Sequence, residues 1–231
     1  MNKTEFDQFA KEYQTLHAAN ISASGETPDF FAEYKIIDLA SEVKKISHSD
    51  RVKILDFGSG VGNSVPYFSK HIDAVDLTCV DVSDASLSIA QARYPDLAKY
   101  VVFDGNALPF EDDSFEVVFT ACVFHHIPAQ EHVSLFTEIY RVLRKNGMLV
   151  VFEHNPFNPL TVRAVNTCEF DRNAVLISAS TLKQRLSHSG FKNLSCAYRI
   201  FFPRALKILR PLEPLLRWLP AGAQYYVAGR K

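Results

Sequence analysis

The apolar residues of this chain recur with two different periods along the sequence. Over 6–16 and again over 36–46 they recur at helical spacing, while the stretch 22–28 between them is rich in Ser, Gly and Pro and is typical of a loop. The pattern therefore predicts two helices before the first strand.

Short apolar runs rich in β-branched and aromatic residues follow these helices and alternate with amphipathic stretches. Such runs are typical of buried strands, and the clearest amphipathic stretch, 131–144, gathers its apolar residues on one helical face. Strand–helix alternation predicts an α/β fold with a mostly parallel sheet and helices on both faces. The predicted strands are 52–55, 74–80, 100–103, 115–119 and 148–152, followed by two late runs at 196–202 and 223–227.

Composition and charge fit a globular chain that does not bind nucleic acid. The 231 residues suit one α/β domain, and no repeat, low-complexity tract or linker divides them. The formal net charge of −1 lacks the basic excess expected of nucleic-acid binding. We therefore expect one domain over 1–231 and no nucleic-acid partner.

Three further observations bear on the compartment. The four cysteines lack metal-type or framework spacing, which favours free thiols in a reducing environment. The first residues are polar rather than signal-like, and no apolar run reaches membrane-spanning length. We therefore expect a cytoplasmic protein.

A glycine-rich loop follows the first predicted strand and opens a helix. Its spacing is Asp56-x-Gly58-x-Gly60-x-Gly62, and glycines let the backbone turn tightly and approach a ligand. Dinucleotide-binding loops instead need G-x-G-x-x-G, so the third glycine comes one residue early. An acid at this strand end is unfavourable beside a pyrophosphate but suits the ammonium of a methionine moiety. A nicotinamide-dependent dehydrogenase is therefore the less favoured alternative.

An acidic residue, Asp81, ends the second predicted strand. Its carboxylate can accept hydrogen bonds from two ribose hydroxyls, or it can cap the following helix. Ribose binding is favoured because a glycine loop lies one βα unit upstream. Val82, the next residue, belongs to the same predicted binding set.

With these two motifs, residues 50–155 resemble the class I S-adenosylmethionine (SAM)-dependent methyltransferases, especially the type 11 small-molecule branch. The stretch 104–110 is similar to the family's third-strand motif, which implies that Asp104 and Gly105 contact the adenine. The stretches 115–118 and 141–147 resemble the fourth strand and the turn into the fifth, with Glu116 where Asp is usual and Asn146 in place of a common Gly.

The resemblance implies a Rossmann-like methyltransferase fold, a seven-stranded mostly parallel sheet whose last strand is antiparallel. It also implies SAM as the cofactor, with the glycine loop and its acid around the methionine moiety. The expected division is leading helices in 1–50, a SAM-binding core in 51–155, and acceptor-side elements with the last strands in 156–231.

Histidines follow the fourth and fifth predicted strands, at the edge where ligands of open parallel sheets bind. His126, its neighbour His125, and His154 are candidate general bases, because imidazole titrates near neutral pH. Packing or a loop hydrogen bond is the alternative for each. Quinone-precursor O-methyltransferases resemble this region but carry acids where Cys122 and His125 stand here. We therefore predict no metal site.

Two further features concern the acceptor side. Tyr13 and Tyr34 on the leading helices either pack in the core, which helical spacing favours, or close over the cofactor. The stretch 203–222 mixes apolar residues, Arg, Lys and three prolines, so a single long helix is not expected. It either packs on the sheet edge or forms a lid that contacts a greasy acceptor or a membrane surface.

Together the patterns and the resemblance predict an enzyme that transfers a methyl group from SAM to a small-molecule or lipid-like acceptor. A non-catalytic SAM-binding module on the same fold is the main alternative. A nucleic-acid methyltransferase is disfavoured because the chain lacks a basic patch and a target-base motif. Peripheral membrane contact through 203–222 is a further expectation, and the oligomeric state stays open.

Overall fold

The computed structural model describes residues 24–46, 51–169 and 171–231. Their centre is a seven-stranded sheet in the order β3-β2-β1-β4-β5-β7-β6. Pairing is parallel from β3 through to β5, and β7 runs antiparallel to both of its neighbours. The strands are β1 (Val52–Phe57), β2 (Val75–Asp81), β3 (Lys99–Val102), β4 (Phe115–Ala121), β5 (Leu143–His154), β6 (Lys192–Arg199) and β7 (Gln224–Arg230).

This topology confirms the predicted fold class. Because β6 is antiparallel to β7, and β7 to β5, β6 runs in the same direction as the first five strands. The carboxyl ends of six strands therefore meet at one edge, and β7 begins at that edge.

Helices cover both faces of the sheet. Strand residues alternate between two cores, so that Val118 lies in one and Val117 and Phe119 in the other. Both faces are buried, as expected for a parallel sheet. The helices are α1 (Pro28–Val43), α2 (Val65–His71), α3 (Asp84–Arg93), α4 (His132–Val142), α5 (Pro159–Thr167), α6 (Ala179–His188) and α7 (Glu213–Leu216), with 3₁₀ turns at Phe124–His126, Ala129–Glu131 and Arg204–Leu212.

Helix α1 begins eight residues before the apolar repeat that predicted it. The hydroxyl of Thr27 accepts a hydrogen bond from the backbone N–H of Phe30 at 3.3 Å, and Pro28 occupies the first turn. A side-chain cap followed by proline is a strong helix start, and here it outweighs the loop-like composition. The first predicted helix, 6–16 with Tyr13, lies outside the described residues.

The start of β5 also differs from its prediction. The apolar run begins at Met148, but the strand begins at Leu143, which pairs with Phe115 before a register shift. Within this stretch Asn146 has a φ of +66°. Asn is among the residues that tolerate this left-handed conformation, which explains why it can replace the glycine common at this turn.

The segment between β6 and β7 is not one helix, as its prolines predict. It contains the Arg204–Leu212 turns and the short α7, and its apolar side chains are largely outside the core. Ile208, Leu215 and Trp218 are 85%, 71% and 75% exposed. Every helix among the described residues is too short or too polar to cross a membrane.

Candidate active site

The glycine loop after β1 lies at the carboxyl edge, as predicted. The N–H groups of Gly58 and Ser59 both donate to the carbonyl of Val80, at 2.8 and 3.2 Å, and join the loop to β2. A Cβ on Gly58 would lie 2.4 Å from a methyl carbon of Val123, so only glycine allows this close approach to the segment after β4. A Cβ on Gly60 would meet nothing within 4 Å. The loop therefore packs at Gly58 and opens at Gly60.

Gly62, the third glycine of the loop, packs against α3. A Cβ there would lie 2.9 Å from the Cβ of Ala90. The early third glycine thus serves helix packing, as the third glycine does in related nucleotide loops.

Asp81 holds the end of β2 against the glycine loop. Its carboxylate accepts hydrogen bonds from the N–H of Gly60 at 2.8 Å and of Ser83 at 2.9 Å. The cap of α3 is Ser83, whose hydroxyl accepts from Ser86, so the capping alternative for Asp81 is wrong.

Asp56 is buried at the end of β1 beside a second acid. Burial and the nearby Asp81 raise the pKa of its carboxyl to about 8, although the ammonium of Lys35 on α1 opposes both. The free protein therefore keeps Asp56 substantially protonated near neutral pH. A ligand cation placed here would favour the carboxylate.

The loop after β3 brings together the predicted adenine residues. The exposed carboxylate of Asp104 accepts from the N–H groups of Asn106 at 2.8 Å and Ala107 at 3.0 Å, which lowers its pKa. The Cβ position of Gly105 lies 3.6 Å from a methyl group of Val82. Val82 is buried. The carboxylate of Asp104, the backbone of Gly105 and the apolar side chain of Val82 therefore lie next to one another.

The two histidines after β4 belong to a buried charged cluster. The Nδ1 of His125 lies 2.6 Å from Glu153 of β5, whose other oxygen accepts from the N–H of Phe124 at 2.9 Å. On the far side, Oδ1 of Asp171 lies 3.7 Å from Nε2 of His125 and 3.3 Å from Nε2 of His126. Two carboxylates therefore flank the histidine pair.

The charges in this cluster shift each other's protonation. Burial disfavours charge on His125, but Glu153 and Asp171 outweigh it and raise its pKa to about 10. Burial and the neighbouring His125 lower the pKa of His126, which leaves it neutral near pH 7.

His154 lies beside this cluster, in a second polar group at the start of β7. Its ring is 5.2 Å from that of His125, and its Nδ1 lies 3.2 Å from the amide nitrogen of Gln224. The amide oxygen of Gln224 accepts from the hydroxyl of Tyr34, so its nitrogen donates to His154. Nδ1 of His154 therefore accepts this hydrogen bond.

Tyr34 packs as its helical spacing predicts. It is buried against Phe31 and Phe152, with ring centroids 6.3 and 6.2 Å away. Its hydroxyl nevertheless donates to the amide oxygen of Gln224, beside His154.

Cys122 completes the second polar group. Its backbone has a φ of +60°, and its sulfur lies 3.5 Å from Nζ of Lys35 and 3.7 Å from the amide nitrogen of Gln224. Burial raises the pKa of the thiol, but Lys35 and His154 outweigh it and lower the pKa to about 7.

Sequence reasoning found one half of this site and missed the other. The acids and glycines after β1, β2 and β3 and the histidines after β4 and β5 all lie at one edge. Lys35, Asp171 and Gln224 were missed. Lys35 could have been predicted, because it is a cation among the apolar residues of a helix. Asp171 and Gln224 reach the site only because of how their loop and strand are placed in the fold.

Comparison with known proteins agrees with this geometry. A family model described as a methyltransferase domain matches residues 55–151. A demethylmenaquinone methyltransferase of Thermotoga maritima is 29% identical over 153 residues, which are 66% of this chain and 61% of that protein. A phthiotriol/phenolphthiotriol dimycocerosates methyltransferase of Mycobacterium ulcerans is 32% identical over 111 residues, 47% of this chain and 40% of that protein. The chain thus spans 40–61% of the length of these two relatives.

Solved structures share the fold. A SAM-dependent methyltransferase of Thermotoga maritima, described as a possible histamine N-methyltransferase, superposes with a TM-score of 0.69 at 18% identity and covers 100% of both chains. A phosphoethanolamine N-methyltransferase of Haemonchus contortus in complex with SAM superposes with a TM-score of 0.59 at 19% identity, over 87% of this chain and 56% of that one. Residues 55–151 therefore match a methyltransferase domain, and the chain has the fold of SAM-dependent methyltransferases.

Proposed function

We propose that this chain transfers the methyl group of SAM to a small-molecule or lipid-like acceptor. The observation that carries the proposal is the contact between the glycine loop after β1 and the end of β2. There Asp81 holds the N–H of Gly60, while the missing side chain of Gly60 leaves open space at the sheet edge. Two relatives, a demethylmenaquinone methyltransferase and a phthiotriol/phenolphthiotriol dimycocerosates methyltransferase, support a hydrophobic acceptor.

The cofactor residues divide along the three parts of SAM. Asp81 accepts from the ribose hydroxyls, and Asp104, Gly105 and Val82 contact the adenine. The methionine moiety lies along the glycine loop, with its ammonium toward Asp56. Each assignment follows the order in which β1, β2 and β3 end along the edge, since ligands of open α/β sheets bind across these ends.

Methyl transfer from a sulfonium is an in-line displacement in which positioning supplies much of the rate. A general base contributes only where the acceptor carries a proton that must leave. His126 is neutral near pH 7 and is the better base of the two candidates. We assign His154 to orienting the acceptor, because Gln224 occupies its Nδ1.

Replacing Asp81 with Ala should raise the Kd for SAM about 10- to 100-fold. A hydrogen bond to a charged group contributes about 1.5–3 kcal/mol, and the net loss of one such bond corresponds to this change in Kd. Isothermal titration calorimetry measures the change, and thermal unfolding checks that the variant folds. The matched control is Asp84→Ala, an exposed acid at the start of α3 that should bind SAM like wild type. A folded Asp81→Ala chain with wild-type affinity would refute the ribose assignment.

Replacing Asp56 with Asn should stabilise the free protein while weakening SAM binding. A carboxyl whose pKa is raised to about 8 in the folded chain contributes stability that is present below its unfolded pKa and is lost as pH rises toward 8. The slope is at most about 1.4 kcal/mol per pH unit. Urea unfolding from pH 4 to 9 should show the advantage of the variant growing with pH and levelling above 8.

Calorimetry at pH 7 should show weaker SAM binding by the same Asp56→Asn variant. A gain in stability together with a loss of SAM affinity is expected for an acid that is retained to bind a ligand. A variant that loses stability, or that binds SAM as wild type does, contradicts the assignment to the methionine ammonium.

Replacing His126 or His154 with Gln should impair the reaction with the acceptor more than it impairs SAM affinity. A general base contributes about 10²–10⁴-fold to rate, so His126→Gln should reduce kcat by that order on a hydroxyl acceptor, and His154→Gln should mainly raise KM. Release of S-adenosylhomocysteine across a panel of hydroxylated, amine and quinol-like acceptors provides the assay. His71→Gln, a surface histidine paired with Glu33, is the control. If no acceptor yields release although SAM binds, the chain is a non-catalytic SAM-binding module.

The exposed apolar residues of the segment between β6 and β7 suit contact with a hydrophobic acceptor or with a membrane surface. Its start is held by Arg204 against the carbonyl of Gly25, and its end by the side-chain amide of Asn155 against the carbonyls of Pro220 and Gly222. Between these anchors the apolar side chains point away from the core, and Lys207 is exposed among them. Both anchors lie at the cofactor edge, so this exposed apolar surface borders the predicted acceptor side.

The triple variant Ile208→Ser, Leu215→Ser, Trp218→Ser should keep SAM affinity and lose turnover of a lipid-like acceptor. All three side chains are exposed, so their removal should leave the stability of the core unchanged. Co-sedimentation with phosphatidylglycerol vesicles should fall in the variant, and vesicles of phosphatidylcholine alone test the dependence on charge. Leu160→Ser, an equally exposed leucine on α5, is the control. Unchanged turnover and sedimentation in the triple variant would exclude this surface from acceptor binding.

A further inference from the structure

His125, His126 and Asp171 converge on one point beyond the end of β4. One ligand-type atom from each lies within 4.8 Å of the others. The Nε2 atoms of His125 and His126 are 3.7 and 3.3 Å from Oδ1 of Asp171. A contact of 3.7 Å is too long for a hydrogen bond, but a tetrahedral ion with bonds of about 2.0–2.1 Å separates its ligand atoms by about 3.4 Å. We propose that these three residues bind a divalent transition-metal cation.

Glu153 orients the first of these ligands. It lies 2.6 Å from Nδ1 of His125, on the side of the ring opposite Asp171, and is itself fixed by the N–H of Phe124. A carboxylate that accepts the Nδ1 proton leaves Nε2 as the metal-binding nitrogen, and metal-bound histidines commonly have such a partner. The pairing thus directs Nε2 of His125 toward Oδ1 of Asp171, where a cation would replace the proton.

Asp171 reaches the cluster because its loop is tied to the histidines. The N–H of Val175 donates to the carbonyl of His125 at 2.7 Å. Within the loop, the N–H of Asp171 donates to Cys168 at 3.2 Å, and that of Ala174 donates to the carbonyl of Asp171 at 2.9 Å. Backbone hydrogen bonds therefore hold the carboxylate of Asp171 beside the two histidines.

Charge and ligand type select the ion. Glu153 and Asp171 supply two negative charges in a buried cluster, which a divalent cation balances. Two imidazoles and one carboxylate suit Zn²⁺ and its first-row neighbours, whereas Mg²⁺ and Ca²⁺ prefer oxygen ligands throughout. Three protein ligands leave a position open, as in catalytic zinc sites.

A metal ion at this site would narrow the class of acceptor. Only this catalytic role rests on the proposed function, because metal binding itself does not depend on it. The ring of His154 lies 5.2 Å from that of His125, so the proposed site borders the predicted acceptor side. A cation there lowers the pKa of a bound hydroxyl. It would take over from His126 the activation of the acceptor, which points to a hydroxyl-bearing molecule and to methylation at oxygen.

Metal binding is testable without any acceptor or SAM. Chelator-treated wild-type protein should bind one Zn²⁺ per chain by calorimetry and one Co²⁺ by its visible absorption, and Mg²⁺ should not compete. Asp171→Asn and His126→Gln should each weaken Zn²⁺ binding at least about tenfold. Glu153→Gln should weaken it about 10- to 100-fold, the effect typical of outer partners of metal ligands.

Two variants near the cluster are matched controls. Glu169→Gln removes an exposed carboxylate from the same loop, and His154→Gln removes the adjacent imidazole, so both should bind Zn²⁺ as wild type does. Circular dichroism checks that every variant is folded. SAM calorimetry on the same samples separates failure of the metal site from failure of the proposed function.

Two outcomes would overturn the proposal. One is wild-type protein that takes up no stoichiometric Zn²⁺ or Co²⁺, which would mean that protons alone neutralise the cluster. The other is binding that survives in Asp171→Asn and disappears in Cys122→Ser, which would place the ion at the neighbouring thiol.

Discussion

The structure depends on burying acids at the ends of central strands and supplying each with hydrogen-bond donors or a positive partner. Asp56, Asp81 and Glu153 end or nearly end β1, β2 and β5, and all three are buried. A buried carboxylate is costly unless hydrogen bonds or opposite charges compensate it. How each acid is compensated determines what the edge of the sheet can bind.

The three acids are compensated to different degrees. Asp81 is satisfied by the N–H groups of Gly60 and Ser83, and it thereby also builds the glycine loop. Glu153 is satisfied by the N–H of Phe124 and by His125. Asp56 faces the ammonium of Lys35, yet its pKa still rises to about 8. The incompletely compensated acid lies where a cationic ligand group is expected, which is typical of functional sites.

A single line of polar contacts joins the leading helix to the last strand across this edge. The hydroxyl of Tyr34 meets Gln224, Gln224 meets His154, and the ring of His154 lies against that of His125. The line exists because β7 is antiparallel and begins where β5 ends. The first residue of β7 therefore contributes to the same surface as the last residue of β5, and the acceptor side is formed by elements far apart in the chain.

Local signals along the chain determined the order of the elements and half of the site. Runs of β-branched residues specified the strands, and the spacing of glycines and acids after β1, β2 and β3 specified the cofactor edge, because each motif lies within a few residues of its strand. Boundaries such as the start of α1 at Pro28 or of β5 at Leu143 depended on a cap and on a register shift. Those are weaker signals than the apolar runs.

Tertiary structure alone decided which side chains surround the histidines. Asp171 lies in a loop 45 residues beyond His126 (171 − 126), and nothing in its local sequence predicts that the N–H of Val175 bonds to His125. Gln224 opens β7, and its neighbour His154 closes β5, so their contact follows from strand direction. Short-range patterns encode secondary structure and loop chemistry, whereas contacts between distant loops depend on the packing of the whole sheet.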